Sequence, residues 1–176
     1  MARRAARDSR KAGSAGGVRI GPVELNESEL EDWGRAIGQQ VRTPVVLALR
    51  GELGAGKSVL ARAVARGAGV SGAMPSPTFN LLFRYETPRG ITVSHLDLYR
   101  LEDPEEVWEL GWRELGESNE IVLIEWPERA EDLLPPIRWD ITIEPGSSDQ
   151  TRTITAVPAP APAPGTHPHP HPLPHP

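Results

Sequence analysis

The sequence predicts an α/β protein whose sheet mixes parallel and antiparallel strands, and three observations carry that prediction. The short apolar runs VVLALR (45–50) and IVLIE (121–125) have the continuous hydrophobicity of strands buried on both faces. Segments beside them place apolar residues at spacings of three and four, the signature of helices with one buried face. Two pairs of segments with strand-like composition, NLLFRYE with ITVSHLD and RWDITIE with TRTITAV, read as antiparallel partners, the first pair joined by the turn-like TPRG.

Taken in order, residues 1–17 form a basic arm without an apolar segment behind it, which excludes a secretory signal. NESELEDWGRAIGQQV follows, with Asn26 or Ser28 as N-cap and Leu30, Trp33, Ile37 and Val41 on one helical stripe. VVLALR is a buried strand, and KSVLARAVARGAG is a helix closed by glycines. The hairpin of NLLFRYE and ITVSHLD comes next, then an acidic helix, PEEVWELGW. Its cluster Glu102, Asp103, Glu105 and Glu106 around Pro104 complements the positive end of a helix dipole. IVLIE supplies another buried strand, and the RWDITIE and TRTITAV pair closes the domain. From Pro158 the prolines alternate, and residues 158–176 are expected to be extended, solvated polyproline outside the fold. The folded domain is thus placed at residues 18–157.

Composition narrows the classes. A chain of 176 residues suits one domain with a real core. With no cysteine it has neither a disulfide framework nor a thiolate metal site, and a cytoplasmic location is expected. No run reaches the ~18 apolar residues of a membrane span. The arm carries five Lys/Arg and one acid, whereas residues 18–157 carry fourteen Lys/Arg and twenty-three acids, so the arm stands at +4 and the body at −9. Nucleic-acid affinity comes mainly from phosphate neutralisation, so a body this acidic is not expected to bind RNA or DNA unaided. Any RNA role calls for a partner.

The chemistry concentrates at residues 51–58. Gly51-Glu52-Leu53-Gly54-Ala55-Gly56-Lys57-Ser58 fits the P-loop pattern G-x-x-x-x-G-K-[ST] and stands between a buried strand and a helix, where that pattern must stand. Its glycines let backbone N–H groups converge on phosphate oxygens at a positive helix end. The chain has two lysines against seventeen arginines, and Lys57 is the only lysine outside the arm. A compact ammonium on a flexible stem reaches terminal phosphates in a way a planar guanidinium does not duplicate. The fold class sharpens accordingly to a three-layer, P-loop NTPase-like fold. A bound triphosphate requires Mg2+, for which Ser58 supplies one oxygen ligand. Asp97 and Glu125, each an acid ending an apolar strand, are the two candidates for the second, and spacing does not separate them. No N-K-x-D stretch for guanine occurs, which favours ATP. A small-molecule kinase and a nucleotide-gated binding module with negligible hydrolysis stay open as alternatives.

The P-loop together with Ser76-Pro77-Thr78-Phe79, His95-Leu96-Asp97-Leu98-Tyr99-Arg100-Leu101, Asp103-Pro104-Glu105-Glu106, Gly111, Ile124-Glu125-Trp126-Pro127-Glu128 and Leu134-Pro135 resembles the bacterial TsaE family over residues 23 to about 157. The resemblance implies an ATPase for threonylcarbamoyladenosine synthesis on tRNA, acting with TsaD and TsaB and meeting tRNA through that complex. It further implies that Ser58 and Glu125 hold Mg2+, that Asp97 supports turnover, and that Thr78 sits in a switch-like loop near the γ-phosphate. Glu27 would lie close to the nucleotide, and Trp126 would pack beside the site. His95 is read as making a structural hydrogen bond. The family more commonly carries threonine where Ser58 stands; both side chains offer a hydroxyl.

Overall fold

The computed structural model describes residues 19–75, 80–159 and 170–176. Seven strands form one sheet: β1 (Ile20–Asn26), β2 (Val45–Arg50), β3 (Leu82–Glu86), β4 (Thr92–Asp97), β5 (Glu120–Glu125), β6 (Trp139–Pro145) and β7 (Thr151–Pro158). Their order is β1-β7-β6-β2-β5-β4-β3. The central strands β6, β2, β5 and β4 run parallel, while β3, β7 and β1 add antiparallel edges.

Alternation along the central strands produces three layers, because successive side chains leave opposite faces. Leu47, Leu49, Ile121, Leu123, Ile141 and Ile143 pack with the helices α1 (Glu27–Gln40) and α2 (Lys57–Ala68). Val46, Val122 and Ile124 point the other way, onto Val107, Trp112, Ala130 and Leu134 from short 3-10 turns. Fully burying a side chain of this class stabilises by about 1.5–3 kcal/mol, so both layers are needed to hold the sheet. The two helices cross closely: a Cβ on Gly38 would stand 2.0 Å from the Val64 carbonyl oxygen, and one on Gly67 would stand 2.2 Å from that of Arg35. Only glycine permits that approach.

Asn26 is the N-cap of α1, its side chain accepting from the Glu29 amide at 3.0 Å while Glu29 accepts from the Asn26 amide at 2.8 Å. All four stripe residues of α1 and its C-cap, Leu30, Trp33, Ile37 and Val41, are buried.

Three features depart from the sequence reading. β1 was not foreseen, because Gly21 and Pro22 interrupt its pattern; as an edge strand, paired only with β7 and irregular between Ile20 and Val23, it tolerates both. PEEVWELGW is not an α-helix but two 3-10 segments, Pro104–Leu110 and Trp112–Glu114. Only Val107 of the first is buried, so no apolar stripe holds a longer helix, and Gly111 at φ 74° breaks it. Finally, β7 runs to Pro158, and residues 170–176 lie against the body instead of in solvent. Leu173 is 5% exposed, the Trp33 indole N–H donates to the Pro174 carbonyl at 2.8 Å, and that of Trp139 donates to the His171 carbonyl at 2.9 Å. Indole N–H groups buried at the surface of the core find acceptors there.

Candidate functional site

β2 ends at Arg50 and the chain turns at once. Gly51 has φ 145° and lies so close to β6 that a Cβ would stand 2.4 Å from the Ile143 carbonyl oxygen. The loop then closes on itself through the Ala55 amide and the Glu52 carbonyl at 3.1 Å, and α2 begins at Lys57. Gly56 caps α2 without a side-chain acceptor, and the helix's own first turn carries no acid. Lys57 folds back over the loop. Its Nζ donates to the Gly51 carbonyl at 2.5 Å and the Glu52 carbonyl at 2.8 Å, and lies 3.7 Å from the centroid of the Trp126 ring. Burial pulls the Lys57 pKa below the usual lysine value, while Glu125, Glu128 and Asp97 oppose that shift.

The carboxylates arrive by sheet register. β4 and β5 are parallel, with Asp97 directly beside Glu125 at their ends. Glu125, 2% exposed, accepts from the Ser58 hydroxyl through Oε2 at 2.8 Å, and its Oε1 meets His95 Nε2 at 2.8 Å. A carboxylate only accepts, so Nε2 carries the proton; the buried Nδ1 has no hydrogen-bond partner among the described residues. Asp97 accepts from the Tyr99 amide at 3.0 Å. Burial raises its pKa and the Glu125 charge adds to that, while the Tyr99 amide, His95 and Lys57 pull it down.

Trp126 is the one non-glycine residue with positive φ among the described residues, at φ 58°. A bulky side chain in this region stores strain of about 1–3 kcal/mol, held here by the Lys57 contact and by the Tyr99 ring at 4.9 Å. These parts line a cleft of about 370 Å³, walled by residues 53–59 and by Asp97, Tyr99, Arg100, Glu125 and Trp126. A second cleft of about 390 Å³ shares Leu53, Gly54 and Ala55 with it and extends under the β6–β7 turn.

The cleft suits a polyphosphate with a hard cation. Ser58 and Glu125 are oxygen donors in contact. Two protein ligands with the rest left to phosphate and water is the habit of Mg2+.

The family description "Threonylcarbamoyl adenosine biosynthesis protein TsaE" matches residues 25–154. The chain belongs to the TsaE family. Three relatives named tRNA threonylcarbamoyladenosine biosynthesis protein TsaE give the scale of similarity. That of Rickettsia felis is 38% identical over 120 residues, covering 68% of this chain and 69% of its own. That of Haemophilus influenzae is 39% identical over 110 residues, covering 62% and 68%. That of Treponema pallidum is 33% identical over 133 residues, covering 76% and 96%. The crystal structure of YdiB from Bacillus subtilis is similar in fold, with a TM-score of 0.65 at 25% identity, over 84% of this chain and 90% of that one.

Of the residues that resemblance to TsaE singled out, Gly51 to Ser58, Asp97, Glu125 and Trp126 come together around or beside this one cleft. Thr78 lies outside the described residues. Glu27 is exposed at the first position of α1, outside the cleft lining; the helix itself flanks the P-loop, since Leu30 packs against Gly56. Tyr99, Arg100 and Glu128 were not assigned to the site beforehand, although Tyr99 and Arg100 stand in the same H-L-D-L-Y-R run as Asp97. The His95 expectation of a structural hydrogen bond matches its bond to Glu125.

Proposed function

We propose that this chain is a Mg2+-dependent ATPase serving threonylcarbamoyl modification of the adenosine next to the anticodon in tRNAs that read codons beginning with A. The observation that carries the reading is the convergence of Lys57, Ser58, Asp97 and Glu125 on the P-loop cleft. Family membership and the names of its relatives support the pathway.

In this reading the loop amides and the open end of α2 bind the β- and γ-phosphates, and Lys57 exchanges its two carbonyl acceptors for phosphate oxygens. Ser58 and Glu125 would hold Mg2+, which when bound would neutralise charge on the phosphates. His95 fixes the Glu125 carboxylate through Oε1, leaving Oε2 turned to Ser58. Asp97 orients the attacking water: its oxygen bonds to the γ-phosphorus, the bond to the β–γ bridging oxygen breaks, and ADP, phosphate and a proton leave. Thr78 belongs to the segment that senses the γ-phosphate, and Trp126 backs the lysine.

The partners are a TsaD–TsaB pair, through which the acidic body meets tRNA, and hydrolysis cycles that assembly. The deciding experiment is steady-state Mg2+-dependent ATP hydrolysis, alone and with the purified pair from the same source. A low rate that rises with the pair is expected. A rate indifferent to the pair, or phosphate transfer to a small acceptor, overturns the accessory role.

A further inference from the structure

We propose that Trp33 and Trp139 form a binding groove for a polyproline II strand, and that the chain's own residues 170–176 are its detachable intramolecular ligand. The groove is built from two elements, Trp33 standing on α1 and Trp139 on β6, each residue 2% exposed with the strand in place. Both N–H groups donate to carbonyls of the tail, Trp139 to His171 and Trp33 to Pro174. Those carbonyls are three residues apart, one full turn of a polyproline II helix, so they face the same side. The strand PHPLPHP suits that role, since prolines fix its shape and it has no internal hydrogen bonds to satisfy its carbonyls. Leu173 lies between the two bonded carbonyls and is 5% exposed, in the same apolar cluster as Trp33, Val41, Val45 and Trp139. Paired aromatic donors with a pocket for one apolar side chain are how proline-rich segments are commonly read. The groove adjoins the start of β2, as a further apolar cavity lined by Pro44, Val45, Val46, Pro170 and His171 indicates, whereas the P-loop follows the end of β2. The family match ends at residue 154, before the tail begins.

A tethered ligand acts at an effective concentration on the order of millimolar, so it outcompetes free peptide unless its own contact is broken. The test uses the full chain and a fluorescently labelled peptide PHPLPHP. Leu173→Glu, checked for an unchanged circular dichroism spectrum and ATP affinity, is expected to bind the peptide at least tenfold more tightly than wild type. Adding Trp139→Phe, which keeps a ring and removes the donor, is expected to reverse that gain. Equal, weak binding by wild type and Leu173→Glu overturns the proposal. In the wild-type chain, the Trp33 and Trp139 indole protons are expected to exchange with solvent faster than the β2 amides, since the tail detaches without unfolding. Exchange of both only at the rate of global unfolding makes the tail a permanent part of the core, and overturns it. A wild-type dimer that Leu173→Glu abolishes overturns the intramolecular assignment.

Discussion

Lys57 donates two hydrogen bonds to its own loop and faces an indole, so its removal takes away a clamp on the loop as well as the proposed phosphate contact. Lys57→Ala is expected to abolish ATP binding in isothermal titration. Glu125→Ala is expected to retain part of the binding and lose Mg2+-dependent turnover; unchanged hydrolysis in both variants would reject the assignment of this cleft. Asp97 carries a different expectation. Its pKa is raised in the fold, so the folded state holds the proton more tightly, and its contribution to stability is full below the ordinary carboxylate value and lost as pH rises through the elevated one. At neutral pH the charged carboxylate therefore destabilises the fold. Asp97→Asn, which keeps an acceptor for the Tyr99 amide, is expected to raise Tm at pH 7 while lowering kcat, and the gain in Tm should shrink as pH falls through the raised pKa and be gone below the ordinary carboxylate value of about 4. A variant less stable than wild type at pH 7 would contradict this. Sequence spacing left Asp97 and Glu125 equivalent; register and burial separate them, because only Glu125 touches Ser58 and His95.

At the scale of elements, the crossing of α1 and α2 is the most exacting contact. Gly→Ala in an exposed helix normally gains about 1 kcal/mol. At Gly38 the added Cβ would meet the Val64 carbonyl oxygen at 2.0 Å, and backbone cannot yield as a side chain does. Gly38→Ala is therefore expected to lose about 1–3 kcal/mol by urea unfolding, the range of overpacked cores. The same helices show what is legible in the sequence: α1 carries an apolar stripe and a capping residue, α2 is closed by glycine, and both match the structure to within a residue or so. The central strands were legible as continuous apolar runs. β1 was hidden because its stability comes from pairing with β7, a partner more than a hundred residues away in sequence. The acidic segment failed as a helix for the converse reason: good capping at Asp103 cannot extend a helix that has one buried residue.

For the whole molecule, charge is the relevant property. With the body at −9 and the arm at +4, the isolated protein is expected to bind tRNA weakly, with an affinity that falls steeply with salt and vanishes when residues 1–17 are removed. Filter binding between 50 and 200 mM salt, at about the range where phosphate contacts are lost, checks it. Tight binding that survives deletion of the arm would place an RNA surface on the body. No helix among the described residues is long and apolar enough to cross a membrane. The tail was the least legible part, since alternating prolines announce an extended strand but not whether two distant indoles await it.

The position of Trp126 has a practical corollary. Of the five tryptophans in the chain, it alone borders the cleft, with an ammonium group held against its face. If Lys57 turns to a phosphate as proposed, the electric field across that ring changes, and the emission of the indole is expected to change with it. On that reading the protein carries an optical readout of its own loop, and stopped-flow mixing with ATP should report nucleotide arrival as a change in tryptophan emission.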